Sequence, residues 1–199
     1  MIPIWIKLAY TLMAVVVVVV YWRKYGLGNF LWFSDIALIL LVPALWYENR
    51  LLASMMAVGV LIPELFWTLA YFSRLLTGKR LPLISGLVDY MFDSNRPRWL
   101  RALSLFHVPL PPLLLWLLFE WGYEPNALFA QTALAWAVLP LSYWLTDPKE
   151  NVNWVHGWGR AGQRRLSPGM YRGVQMMVLP VLIYLPTHAL LLYLIGPVR

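Results

Sequence analysis

The sequence predicts an all-α, polytopic integral membrane protein of about six transmembrane helices, with both termini outside and the long connections cytoplasmic. Three observations carry this. The chain is 61% hydrophobic and 13% charged over 199 residues, whereas soluble domains are about half apolar and about a quarter charged. It holds 12 Trp and 11 Tyr, the residue types that collect where spans end at the headgroup level. Its cations are also sorted. Thirteen of the sixteen Lys and Arg fall in three of the stretches between apolar runs: Arg23 and Lys24 in the first, Arg74, Lys79, Arg80, Arg96, Arg98 and Arg101 in the third, and Lys149, Arg160, Arg164, Arg165 and Arg172 in the fifth. The second and fourth hold Glu48, Arg50, Glu120 and Glu124. Odd-numbered connections share one side, so this is the positive-inside pattern.

The first span is expected at about Ile2 to Trp22. Its six consecutive valines favour strand in water, but a lipid-exposed segment must satisfy its own backbone, so helix wins. The run is too long for a signal peptide, no small-x-small cleavage site follows, and positive charge comes after it, so a retained span is expected. Tyr25 to Asn29 makes a glycine-containing turn. The second span, Phe30 to Trp46, is barely long enough for a core that needs about 20 apolar residues. The third, Leu51 to Leu76, has length to tilt. Only four residues separate the two, which predicts an antiparallel hairpin.

Between Thr77 and Arg101 the apolar stretch Leu81 to Phe92 is too short to cross and is expected to lie at the interface; a re-entrant dip is the alternative. The fourth span, Ala102 to Trp121, carries Pro109, Pro111 and Pro112, which remove donors and bend the helix. The fifth is Ala127 to Leu145 and the sixth Val174 to Ile195. All six form a single domain over residues 1–199.

Several function classes drop out. Without cysteine there is no disulfide, thiolate nucleophile or Cys-ligated metal. A net charge of +7 hugs span ends, where it meets anionic lipid headgroups; no nucleic-acid recognition module accompanies it. Gly157, Gly159 and Gly162 match G-x-G-x-x-G, but no strand precedes them, so a flexible basic loop is the expectation. Histidines are widely spaced and no metal site is expected. No cofactor is implied.

Ionisable groups inside spans point to chemistry, since a charge at mid-bilayer costs at least about 2.5 kcal/mol. Four stand out: Asp35, Glu64, His107 and His188. Asp35 lies roughly 8 Å, His107 roughly 9 Å and Glu64 roughly 15 Å from the cytoplasmic ends of their helices, so these three share the cytoplasmic half. Glu64, Thr68 and Tyr71 fall on one helical face, as do Ser104, His107 and Pro111. A mid-membrane Glu64 is expected to be neutral unless His107 or an arginine pairs with it. His188 is expected to serve structure.

The stretch Asp147 to Gly157 is the most unusual locally. Asn151, Asn153, Trp154 and His156 could hold a phosphate or carboxylate headgroup above a membrane pocket, or simply form a turn-rich loop. Three functions remain open. The first is a membrane-embedded enzyme acting on a lipid or isoprenoid-like substrate, with Glu64 and His107 as acid–base groups, Asp35 orienting, and Tyr71, Asn151, Asn153, His156 and Arg160 holding substrate. The others are a small carrier or ligand-binding protein, and a non-catalytic helical scaffold in which buried polar groups hold helices together. The expected setting is a cell membrane, a bacterial inner membrane foremost, with membrane lipids as partners and an oligomer possible.

Overall fold

The computed structural model describes residues 2–82, 84–157 and 165–196. Helix dominates, and no strand element occurs among the described residues. The helices are α1 (Ile4–Tyr25), α2 (Phe33–Trp46), α3 (Arg50–Thr77), α4 (Arg98–Leu103), α5 (Leu110–Trp121), α6 (Ala127–Leu145), α7 (Pro168–Leu179) and α8 (Leu185–Ile195). Short 3-10 turns follow α1, precede α4 and join α4 to α5, while a π-helical turn at Pro180–Tyr184 joins α7 to α8. Five continuous helical stretches among the described residues are long and apolar enough to cross a membrane: α1, α3, α4–α5, α6 and α7–α8. The expected second span is shorter than the rest. At 14 residues, α2 reaches about 21 Å, against a hydrocarbon core of about 30 Å.

In α1 the buried residues are Lys7, Tyr10, Ala14, Val17 and Tyr21, alternating three and four apart in one stripe. The opposite face, with Trp5, Leu8, Leu12, Val15, Val16 and Val19, is exposed and apolar. A helix apolar on both faces has no polar side to give water, which suits lipid. In α3, by contrast, 56% of the apolar window is buried, against 17% in α7–α8. The central helix is α3, touching α2, α5, α6 and α8. Its approach to α6 is close at Gly59, where a Cβ would collide with the Gln131 side chain.

The connections gather at two ends. At one, Lys7 Nζ bonds Glu48 Oε1 at 3.0 Å and the Glu124 N–H donates to Ser54 Oγ at 3.0 Å. At the other, Arg96 stands 5.8 Å from the Tyr25 ring, and Asn153 bonds Leu31 and Phe33. The stretch expected at the interface folds back: Val88 and Met91 bury against Trp67 and Ala70 of α3. Arg74 bonds Asp89 at 2.7 Å and covers Phe92, so this cation is engaged by its own chain as well as standing at a basic end.

Prolines decide where helices break. With no N–H at positions 109, 111 and 112, the carbonyls four residues earlier lose their partners, and the chain runs through a 3-10 turn at Ser104–His107 before α5 begins. Pro180 likewise cannot donate to Met176 O, and Trp136 Nε1 takes that carbonyl at 2.8 Å. Trp136→Phe removes the donor and is expected to cost about 0.6 kcal/mol, the mean for hydrogen bonds in membranes, read as a small drop in unfolding temperature in detergent.

Candidate functional site

The break before α5 sets His107 at the end of a tight turn, where its ring faces α3. Glu64 Oε2 lies 2.7 Å from His107 Nδ1, joining residues 43 positions apart. Glu64 is 3% exposed, while the His107 side chain keeps 12% of its surface. A carboxylate at this distance accepts a hydrogen bond from the Nδ1–H tautomer, in which Nε2 carries the lone pair.

Aromatic rings enclose the pair. His107 stacks on Trp67 at 4.5 Å and against Phe106 at 4.2 Å. Tyr71 stacks on the other side of this group, 5.2 Å from Trp67, so the residue expected to touch substrate stands one ring away from the imidazole. The Trp67 Nε1–H donates to Tyr90 OH at 3.2 Å. Burial pushes the Tyr90 phenol above its ordinary range, so it stays protonated. Nearby, Tyr21 OH and Ser104 Oγ are 2.7 Å apart, and buried Tyr10 donates to Leu38 O at 3.1 Å.

Asp35 is brought near. It is 4% exposed and lies within electrostatic range of both His107 and Glu64. Asn29 Nδ2 donates to its Oδ2 at 3.1 Å, while Oδ1 is buried with no hydrogen-bond partner among the described residues. An orphaned carboxylate oxygen is costly in low dielectric. Among the described residues no three His, Asp or Glu side chains gather closely enough to hold a metal ion.

The 151–157 loop divides into two roles. Asn153 is consumed by structure: Oδ1 accepts from Phe33 N at 3.2 Å, and Nδ2 donates to Leu31 O at 2.6 Å and Ser142 Oγ at 3.2 Å. It thereby starts α2 two residues ahead of Asp35. Asn151 donates to Gly157 O at 2.8 Å and accepts from His156 N at 2.9 Å, which closes the loop on itself. Both sit in the left-handed region, with φ of 47° and 50°, where asparagine is favoured among non-glycine residues. Among the described residues, both amides are thus engaged by groups of this chain. Arg160 and the glycine-containing loop around it lie outside the described residues.

His156 differs. Its ring stands 4.7 Å from Tyr143, which also carries Arg172 at 3.5 Å over its face. Burial, and then the Arg172 charge, hold His156 below its ordinary value of 6.5, with Asp147 opposing. The folded chain therefore resists a proton that the unfolded chain accepts as pH falls through about 6.5. This contribution to stability is present above that pH and is lost below it. In phosphate-free buffer, unfolding temperature is expected to fall between pH 7 and 5, and His156→Gln to flatten that slope.

Sequence reasoning missed Trp67, Phe106, Tyr90 and Tyr21 around the dyad, and Tyr143 and Tyr171 around His156. Position 67 carried a usable signal: it lies three residues from Glu64, on its face of the helix. His188 sits apart, with Nδ1 2.6 Å from Tyr123 OH, as a structural residue would. Comparison with protein families, with curated proteins and with solved structures gives no match to this chain.

Proposed function

We propose that this chain is a multi-pass membrane enzyme that moves a proton on a hydrophobic, lipid or isoprenoid-like substrate, using His107 as base and acid and Glu64 to orient it. Its basic end faces the cytoplasm, and the termini lie outside, as the positive-inside rule implies. A bacterial inner membrane is the setting proposed. In this topology α2 and the turn before it complete six passes.

The observation that carries the reading is the 2.7 Å contact between Glu64 and His107, a carboxylate–imidazole pair at a depth where ionisable groups are expensive. His107 Nε2 takes a proton from a substrate O–H or activated C–H, the imidazolium is stabilised by Glu64, and the proton returns to the product in a later step. Asp35, with an oxygen to spare, helps hold the positive charge. Exposed apolar faces on α1 and α7–α8 fit a substrate that arrives through lipid.

A purely structural role is the competing reading, and ring stacking on both faces of His107 favours it. Untargeted lipidomics of cells with and without the protein separates them, since an enzyme must leave a substrate accumulated and a product depleted. Identical lipid profiles would remove the enzyme reading. Reporter fusions near residues 98 and 150 are expected on the cytoplasmic face, and those near 48 and 124 on the other.

A further inference from the structure

Ring stacking and one carboxylate leave His107 a freedom of movement. Trp67 and Phe106 lie on its ring at 4.5 and 4.2 Å, each tilted by 24°. Flat contacts of this kind set the plane of an imidazole but let it slide or turn within that plane. Glu64 Oε2 holds one corner, Nδ1. Where the ring stands in its plane is left to its backbone, the 3-10 turn Ser104–His107.

That turn braces itself poorly. Hydrogen-bond geometry in a 3-10 turn is worse than in an α-helix. Pro109 cannot donate to Leu105 O, which takes the Val108 N–H at 3.0 Å instead, and Pro111 cannot donate to His107 O. Support comes from a side chain: Ser104 Oγ lies 2.7 Å from Tyr21 OH of α1, and both residues are buried. Side chains three apart eclipse in a 3-10 turn, so Ser104 and His107 share one edge, and a shift of the first is felt at the second. Ser104 also acts on the Tyr90 phenol, whose oxygen accepts from the Trp67 indole on which His107 stacks. Two routes thus run from one hydroxyl to the imidazole, along the turn and through the indole. Since α1 packs mainly on α2, the Tyr21 phenol reaches the turn as an outlying contact. Aliphatic side chains would fill such a gap at many alignments, whereas a buried hydroxyl pair bonds over a narrow range of distance and angle.

We propose that Tyr21 is a positioning residue for His107: through Ser104 it fixes the turn that sets the imidazole against Glu64. Its effect on turnover rests on the acid–base reading of that pair, while its effect on geometry does not.

The test uses the full chain in detergent with ¹⁵N-labelled histidine. Three imidazoles are present, and His→Gln at each assigns them. The His107 Nδ1–H, donated to a carboxylate, is expected far downfield and slow to exchange with water. Tyr21→Phe keeps the ring and removes the hydroxyl; it is expected to move that resonance upfield and speed its exchange about fivefold or more, the scale of losing one hydrogen bond. Ser104→Ala should do the same, and the double variant no more than Ser104→Ala alone. Tyr123→Phe is the control: it removes another buried phenol hydroxyl, bonded to His188 at 2.6 Å at the opposite end, and should leave the His107 resonance in place. On the lipid that accumulates in cells lacking the protein, Tyr21→Phe is expected to lower kcat about 10- to 100-fold, the scale of a displacement of up to about 1 Å, with KM nearly unchanged. If Tyr21→Phe does not fold, Ser104→Ala supplies both comparisons. A His107 resonance in Tyr21→Phe matching that of the parent chain overturns the proposal, as does an equal change in Tyr123→Phe. If no lipid accumulates, the acid–base reading falls, and the resonance still decides the positioning role.

Discussion

Glu64→Gln and His107→Gln are each expected to lower turnover of the native lipid substrate by about 100- to 10,000-fold, the range that a positioned acid–base group contributes. Folded yield in detergent should stay near that of the parent chain. Glutamine at 64 keeps the shape and still accepts from Nδ1–H, but it withdraws the charge that stabilises an imidazolium. Stability and activity therefore separate, and the separation decides between the readings. A contact that only holds helices together is worth about 0.6 kcal/mol, with a known maximum near 1.7. Truncation to alanine would confuse the matter, since His107→Ala leaves a buried carboxylate alone at a cost of about 3–5 kcal/mol. Turnover unchanged in both glutamine variants would end the case for acid–base chemistry at this pair.

Asn153→Ala is expected to destabilise the protein by about 2–4 kcal/mol. Three side-chain hydrogen bonds disappear together, each worth about 1 kcal/mol net and more where a buried partner is stranded. Two of those partners, the Leu31 carbonyl and the Phe33 N–H, flank the start of α2 and find no substitute among the described residues. Alanine must also hold φ 50°, ψ 17°, a conformation that costs most non-glycine residues about 1–2 kcal/mol. Asn151→Ala is the control: it shares the left-handed backbone, and its bonds among the described residues stay within its own loop, so a smaller loss is expected. Thermal unfolding of both, followed by tryptophan fluorescence, checks the order. Equal losses would refute the assignment of Asn153 as the clamp between the loop, α2 and α6.

Charge and composition made the helical, membrane-compatible architecture legible, because lipid imposes constraints that single residues report. The aromatic lining of the dyad was not legible. In a chain with this many Trp and Tyr, Trp67 and Tyr90 have no contrast against their neighbours, and only the backbone path through the 104–109 break brings His107 onto Trp67, which in turn bonds Tyr90. The prolines announced a bend there, but not that the turn would become 3-10 or that it would aim the imidazole at α3. Periodicity also loses its force where a helix is apolar on its exposed face too, as α1 is. For the 151–157 loop the residue types were read correctly as hydrogen-bonding. Their partners depended on which backbone groups of residues 31–33 the fold left open, a fact that belongs to tertiary structure.

The indole at position 136 meets a backbone oxygen, so the identity of the side chain at 176 is free to drift without touching that bond. Positions 136 and 180 are not free in the same way. An N–H restored at 180 would compete with the indole for one acceptor, making the tryptophan dispensable. Relatives of this chain should therefore keep or lose Trp136 and Pro180 together, an evolutionary coupling between two residues whose side chains need never meet.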